Sequence, residues 1–117
     1  MKTVKIIILA LLSTTLSVYS YAQTSNQTKV ETTKTETIKV SGNCDMCKAR
    51  IEKAAKFDGV SKVEWSTKDK TLTASFSPAK TNMNEIGKKV AAAGHDNEKV
   101  KAEDKVYDKL PGCCQYR

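Results

Sequence analysis

From residue 36 onward the chain is organised by short alternations of polar and apolar residues. Thr37-Ile38-Lys39-Val40-Ser41 alternates as a half-buried strand does. Gly42-Asn43 interrupts it. From Met46 the apolar spacing becomes helical. Cys47, Ile51, Ala54 and Ala55 fall on one side, with Lys48, Arg50, Glu52 and Lys53 largely outside. Asp58-Gly59 reads as the stop of that helix. Val60 to Ser66 alternates again, with Val63 and Trp65 on one face, and Lys68-Asp69-Lys70 makes a polar turn. Thr71 to Ser77 is the cleanest alternation: Leu72, Ala74 and Phe76 face in, Thr71, Thr73, Ser75 and Ser77 face out, and Pro78 closes the strand. Asn82 is the expected cap of a second helix, with Glu85 three residues on as in a capping box. Met83, Ile86, Val90 and Ala93 keep helical spacing up to Gly94. Asn97 to Ala102, centred on Val100, is expected as a last strand. The order βαββαβ predicts an α+β, ferredoxin-like domain over residues 36–102: a four-stranded antiparallel sheet with both helices on one face.

The residues before this domain change the picture of where the protein works. Met1-Lys2-Thr3-Val4-Lys5 and Ile6 to Leu12 form a basic stretch followed by a short apolar one, and Ser20-Tyr21-Ala22 offers small residues for cleavage. Residues 1–22 are therefore expected to be a secretory signal peptide, and the protein to be exported, periplasmic or secreted, without a stable membrane anchor. The apolar run is short against the roughly 20 residues a spanning helix needs. Residues 23–35 are rich in Thr, Gln, Lys and Ser and are expected to be a flexible polar tether. The leader holds Lys2 and Lys5 and no acid, so its removal takes the formal charge from +7 to +5. No basic stripe with interleaved aromatics is present, so nucleic acid is not an expected partner.

The candidate chemistry lies in Cys44-Asp45-Met46-Cys47, at the change from strand to helix. Three readings compete. A structural disulfide is permitted by export, but the closed loop is tiny and would constrain the unfolded chain little. A redox dithiol would make the protein a thiol–disulfide exchange enzyme, with Cys44 attacking and Cys113-Cys114 as a second pair. Its flanks, Asn43 and Asp45-Met46, lack the aromatic residue and the Gly-Pro of thioredoxin-type motifs. A two-thiolate metal site is favoured. Thiolates select soft ions, and a first-turn position helps keep Cys47 ionised. Two thiolates suit Cu(I) or Hg(II) and leave the four-ligand shell of structural zinc incomplete.

Val40-Ser41-Gly42-Asn43-Cys44-Asp45-Met46-Cys47, followed by Ile51-Glu52-Lys53-Ala54, resembles a heavy-metal-associated domain. Asp58-Gly59-Val60, the third strand and Ala92-Ala93-Gly94-His95-Asp96 fit the same pattern. That family includes copper chaperones, modules of copper-transporting ATPases and the periplasmic mercury-binding protein. The resemblance implies the ferredoxin-like fold and a metal held by Cys44 and Cys47. The chain departs from the family in one respect. The usual Gly-Met-x-Cys is here Gly42-Asn43-Cys44, one residue shorter and without the methionine that packs under the loop. Met46 is expected to take over as hydrophobic anchor, with thioether ligation as the alternative.

Further candidates lie outside the motif. His95 is expected beside the metal loop, as packing residue, as a tuner of thiolate charge or as a third ligand. Cys113 and Cys114 are expected to be an inert oxidised tail, a second thiol site, or a lid that completes the Cys44/Cys47 site. The tail from Glu103 to Gly112 would need to cross the domain to do so, and ten extended residues reach roughly 33 Å. Lys48 and Arg50 are candidates for steering toward an acidic partner, with ordinary solvated charge as the alternative. The sequence thus predicts a non-enzymatic, exported protein that binds and transfers a soft ion. Cu(I) is expected first, with Hg(II) or Zn(II) scavenging as alternatives. The expected partner is a metal donor or acceptor such as a metal-transporting ATPase or efflux component. A monomer is expected, with a metal-bridged dimer as the variant.

Overall fold

In a computed structural model of the chain, residues 31–117 are described. The expected leader and residues 23–30 of the expected tether lie outside them. The elements run β1 (Lys34–Lys39), α1 (Asp45–Ala55), β2 (Val60–Ser66), β3 (Thr71–Phe76), α2 (Met83–Ala92) and a one-turn helix α3 (Asp104–Tyr107), followed by a 3-10 turn at Gly112–Cys114. The sheet order is β1-β3-β2, antiparallel throughout. Alternation sorts the strands: Ile38, Leu72, Ala74, Phe76 and Trp65 are buried under the helices. On the opposite face Thr35 bonds Ser75 at 2.8 Å and Thr37 bonds Thr73 at 3.0 Å, tying β1 to β3 across the register.

The helices cover the apolar face through the residues that spacing singled out: Cys47, Ile51 and Ala55 from α1, Met83, Ile86 and Val90 from α2. Asn82 caps α2, its Oδ1 accepting from the Glu85 backbone N–H at 3.0 Å. Only half of a capping box forms, because the Glu85 carboxylate pairs with Lys88. α1 ends before Asp58-Gly59, at Lys56, whose backbone is extended. Gly59 instead sits third in a turn closed by Val60 N–H to Phe57 O at 2.9 Å, with φ of +93°.

Two further sequence expectations change. β1 begins at Lys34, two residues ahead of the expected domain start. The fourth strand is reduced to a single bridge, Val40 to Asn97, so the sheet has three strands among the described residues. The reason lies in Asn97. Its Oδ1 accepts from the Lys99 and Val100 backbone N–H groups at 3.0 and 3.1 Å, and its own N–H donates to Val100 O at 3.0 Å. An asparagine that closes a local turn takes away the backbone groups a ladder would need. What remains of the edge pairing is Ser41 N–H to Asp96 O at 2.8 Å and Glu98 N–H to Lys39 O at 3.2 Å. No helix among the described residues is long and apolar enough to cross a membrane.

Candidate metal centre

The loop Ser41–Asn43 delivers the chain from the end of β1 to the start of α1. Cys44 is the N-cap, in extended conformation (φ −139°, ψ 179°). Cys47 lies one turn in and is fully buried. Their sulfurs are 3.7 Å apart. Cys44 makes no full capping hydrogen bond. Even so, the Cys47 backbone N–H, opposed by partial desolvation and helped by the Met46 N–H, lowers the thiol pKa to about 7. The Asn43 N–H donates to the Cys47 sulfur at 3.3 Å. The helix start therefore favours the Cys44 thiolate, as metal ligation requires.

Trp65 fills the space beneath the loop. It is fully buried and donates from Nε1 to Val40 O at 3.1 Å. A Cβ on Gly42 would stand 3.0 Å from the indole ring and 3.1 Å from the Cys47 Cβ. Gly42 is thus required by close approach rather than by an unusual φ. Met46 does not take the place of the absent family methionine. It is 52% exposed, and its sulfur points outward to Cys113, 3.4 Å away. The shortened loop lets the β2 tryptophan act as the anchor.

The C-terminal tail returns to the site. After α3, Leu110 packs against Gly94, and the 3-10 turn places Cys114 in the core, fully buried. The ligand atoms of Cys44, Cys47 and Cys114 all lie within 4.8 Å of one another. Burial, reinforced by the neighbouring Cys47 and Cys113, pushes the Cys114 thiol up to about 12. Cys113 is exposed, with its sulfur 3.9 Å from that of Cys114 and its carbonyl 3.6 Å from the Cys44 sulfur.

A clasp of polar contacts holds the tail. Asn43 Nδ2 donates to Gln115 O at 3.1 Å. The Tyr116 hydroxyl donates to Gly94 O and accepts from the Asp96 N–H, both at 2.7 Å. Arg117 pairs with Asp96 at 2.8 Å and Asp104 at 2.6 Å, and its guanidinium lies 4.3 Å from the Tyr107 ring centroid. Asn43, Trp65, Tyr116 and Arg117 are positioning residues that the sequence reading did not single out. The one tryptophan, and a tail ending in groups that bond well, were the available signals.

His95 is a packing residue. It is fully buried, stacks on Tyr116 at 5.6 Å, and its Nδ1 lies 2.8 Å from Ser41 O. A carbonyl only accepts, so Nδ1 carries the proton. Burial lowers the ring's pKa, and Nε2 is buried without a hydrogen-bond partner. His95 is not in the three-ligand group. Lys48 is committed within the fold, donating to Glu52 at 2.6 Å and to Trp65 O at 2.9 Å. Arg50 is exposed.

Residues 37–96, just over half of the chain, match the model of the heavy-metal-associated domain. The chain belongs to this family. Oxidized MerP from Ralstonia metallidurans CH34 is 33% identical, with a TM-score of 0.54; the match covers 57% of this chain and 96% of MerP. A CopA variant from Bacillus subtilis, solved with copper, is 29% identical, with a TM-score of 0.50 and coverage of 57% and 91%. The CopZ metallochaperone, 21% identical, shares the fold with a TM-score of 0.53 over 55% of this chain and 98% of CopZ. No curated protein sequence matches the chain. The family segment contains Cys44, Cys47 and His95 and ends before the tail that carries Cys113 and Cys114.

Proposed function

We propose that this protein binds a soft heavy-metal ion through Cys44 and Cys47 and hands it to a partner by stepwise thiolate exchange. The observation that carries this reading is the pair of sulfurs 3.7 Å apart at the start of α1, inside the family segment. Soft sulfur ligands, a helix start that favours the ionised form of Cys44, and a half-exposed Cys44 suit capture and release rather than permanent storage. Cu(I) is the first cargo, because it accepts two or three sulfurs without further donors. The relative CopA, 29% identical, is described in a copper form. Hg(II) accepts the same ligands and is the second cargo. Zn(II) ranks last, since even three cysteines leave its tetrahedral shell one short.

The protein acts as carrier, with no catalytic step of its own, and works as an exported monomer. Its partner is a metal donor or acceptor, such as a metal-transporting ATPase. Of the two steering candidates, Arg50 is the better placed, because Lys48 is held by Glu52 and Trp65 O.

Anaerobic titration of the reduced protein with Cu(I), Hg(II) and Zn(II), beside a disulfide-reductase assay, tests the reading. Tight one-to-one Cu(I) binding that is lost in Cys44→Ser is the expected result. Turnover of a disulfide substrate without metal binding would overturn it and favour a redox enzyme.

A further inference from the structure

The tail outside the family segment carries sulfurs for which a two-cysteine site has no use. They lie in a continuous file. Met46 Sδ and Cys113 Sγ, both on exposed residues, are 3.4 Å apart. Cys113 Sγ is 3.9 Å from the buried Cys114 Sγ. Cys114 Sγ lies within 4.8 Å of the sulfurs of Cys44 and Cys47. The path therefore runs from solvent to the core through five sulfurs, each within 4.8 Å of the next. An ion can thus bind a new sulfur before it leaves the old one. The clasp of Asn43, Tyr116 and Arg117 holds the tail in this register, so the file is built rather than incidental.

Resting on the reading of Cys44 and Cys47 as metal ligands, we propose that the tail makes the loop a sulfur relay. The exposed Met46–Cys113 pair takes up a soft d10 ion. Cys114 then passes it to a three-thiolate seat that it completes with Cys44 and Cys47. Each step is ligand substitution at constant oxidation state. A sulfur–metal bond forms, the incoming thiol gives its proton to water, and an older sulfur–metal bond breaks; a released cysteine thiolate takes a proton back from water, whereas Met46 leaves as the neutral thioether and the proton stays in solution. Met46 has no proton to lose and binds weakly, which suits the entry position. Delivery to a partner runs the same file in reverse.

Two readouts on the full chain, reduced and anaerobic, test the relay with Cu(I) supplied from a coloured chelator. Stopped-flow uptake is expected to slow about tenfold or more in Cys113→Ser and Met46→Leu, with final affinity within about twofold of wild type. Both residues are exposed, so folding is not at stake. X-ray absorption is expected to count three sulfurs on the bound ion in the wild type and two in Cys114→Ser, whose fold is checked by circular dichroism. Wild-type uptake rates in both surface variants, or only two sulfurs in the wild type, would overturn the relay and leave the carrier reading standing. Failure of the wild type to bind Cu(I) or Hg(II) at all would overturn both.

Discussion

Gly42→Ala tests the claim that Trp65 anchors the metal loop. The added methyl would stand 3.0 Å from the indole and 3.1 Å from the Cys47 Cβ, both inside ordinary van der Waals contact. Neither neighbour can give way easily. Trp65 is fully buried and tied to Val40 O, and Cys47 is fixed by the first turn of α1. Overpacking of this kind costs about 1–3 kcal/mol. Gly42 does not have a positive φ, so alanine also restricts the unfolded chain and returns about 0.4–1 kcal/mol. The mid-range net loss is about 1.3 kcal/mol (about 2 less about 0.7), a fall of roughly 5–10 °C in Tm for a domain of this size. Trp65 is the sole tryptophan, so its fluorescence reports both the melt and the local repacking. Cu(I) affinity should fall in the same variant, because the methyl presses on Cys47. An unchanged or raised Tm with an unaltered emission spectrum would refute the packing argument.

Asn82→Ala removes the cap of α2 and should cost about 1 kcal/mol, seen as a lower urea midpoint at unchanged slope; an unmoved midpoint would show that the Glu85 N–H finds equal satisfaction elsewhere. Acid should loosen the tail before the core. Burial raises the Asp96 pKa, but hydrogen bonds from Arg117 and the Ala102 N–H outweigh it and hold the carboxyl below its ordinary value of 3.8. Because the folded pKa is the lower one, the contribution is intact above the unfolded value and is lost as pH falls through the folded value. NMR signals of Ala102 and Tyr116 should therefore move together below about pH 4, with a midpoint under 3.8; tail signals that stay fixed until the whole domain unfolds would count against the clasp.

Alternation and capping carried most of the fold, because β1, β2, β3 and both long helices each show one buried face to the period of their own geometry. Leu72, Ala74 and Phe76 on β3, and Met83, Ile86 and Val90 on α2, lie where the pattern put them. The fourth strand failed for a reason a hydrophobic pattern does not carry: the Asn97 side chain competes with the ladder for backbone groups. The end of α1 was misread because Asp58-Gly59 is equally good as a turn and as a helix stop. At the site, the Cys44/Cys47 pair was legible from spacing alone. Met46 was not, since a methionine between two cysteines looks the same whether it faces in or out. The role of Trp65 follows from a three-dimensional approach to Gly42 that has no signature along the chain. The return of Cys114 follows from Asn43, Asp96 and Tyr116, which are separated in sequence and meet only in the folded state.

In the proposed carrier, the tail bears on how an ion can be held tightly and still be let go quickly. A buried seat with three thiolates would hold an ion firmly and release it slowly if every ligand belonged to the rigid core. Here Cys44 and Cys47 are set by α1, and the third sulfur is set by a clasp of a different character. Its charged contacts, Arg117 with Asp96 and Asp104, lie partly in solvent. Such solvent-screened ion pairs hold the tail only weakly. Its other contacts are hydrogen bonds through Asn43 and Tyr116, and the burial of Tyr107, Leu110 and Cys114 against the core. Local opening at Cys113 to Arg117 exposes Cys114 but leaves the sheet and both long helices packed, so it costs less than unfolding the domain; in the proposed seat it takes away one ligand of three. An acceptor that competes for those contacts, or offers its own sulfur to Cys113 and Met46, lowers the coordination number from outside. In the proposed relay the tail thus sets both the third bond and the ease of losing it, so substitutions that loosen the clasp should speed release and weaken binding together.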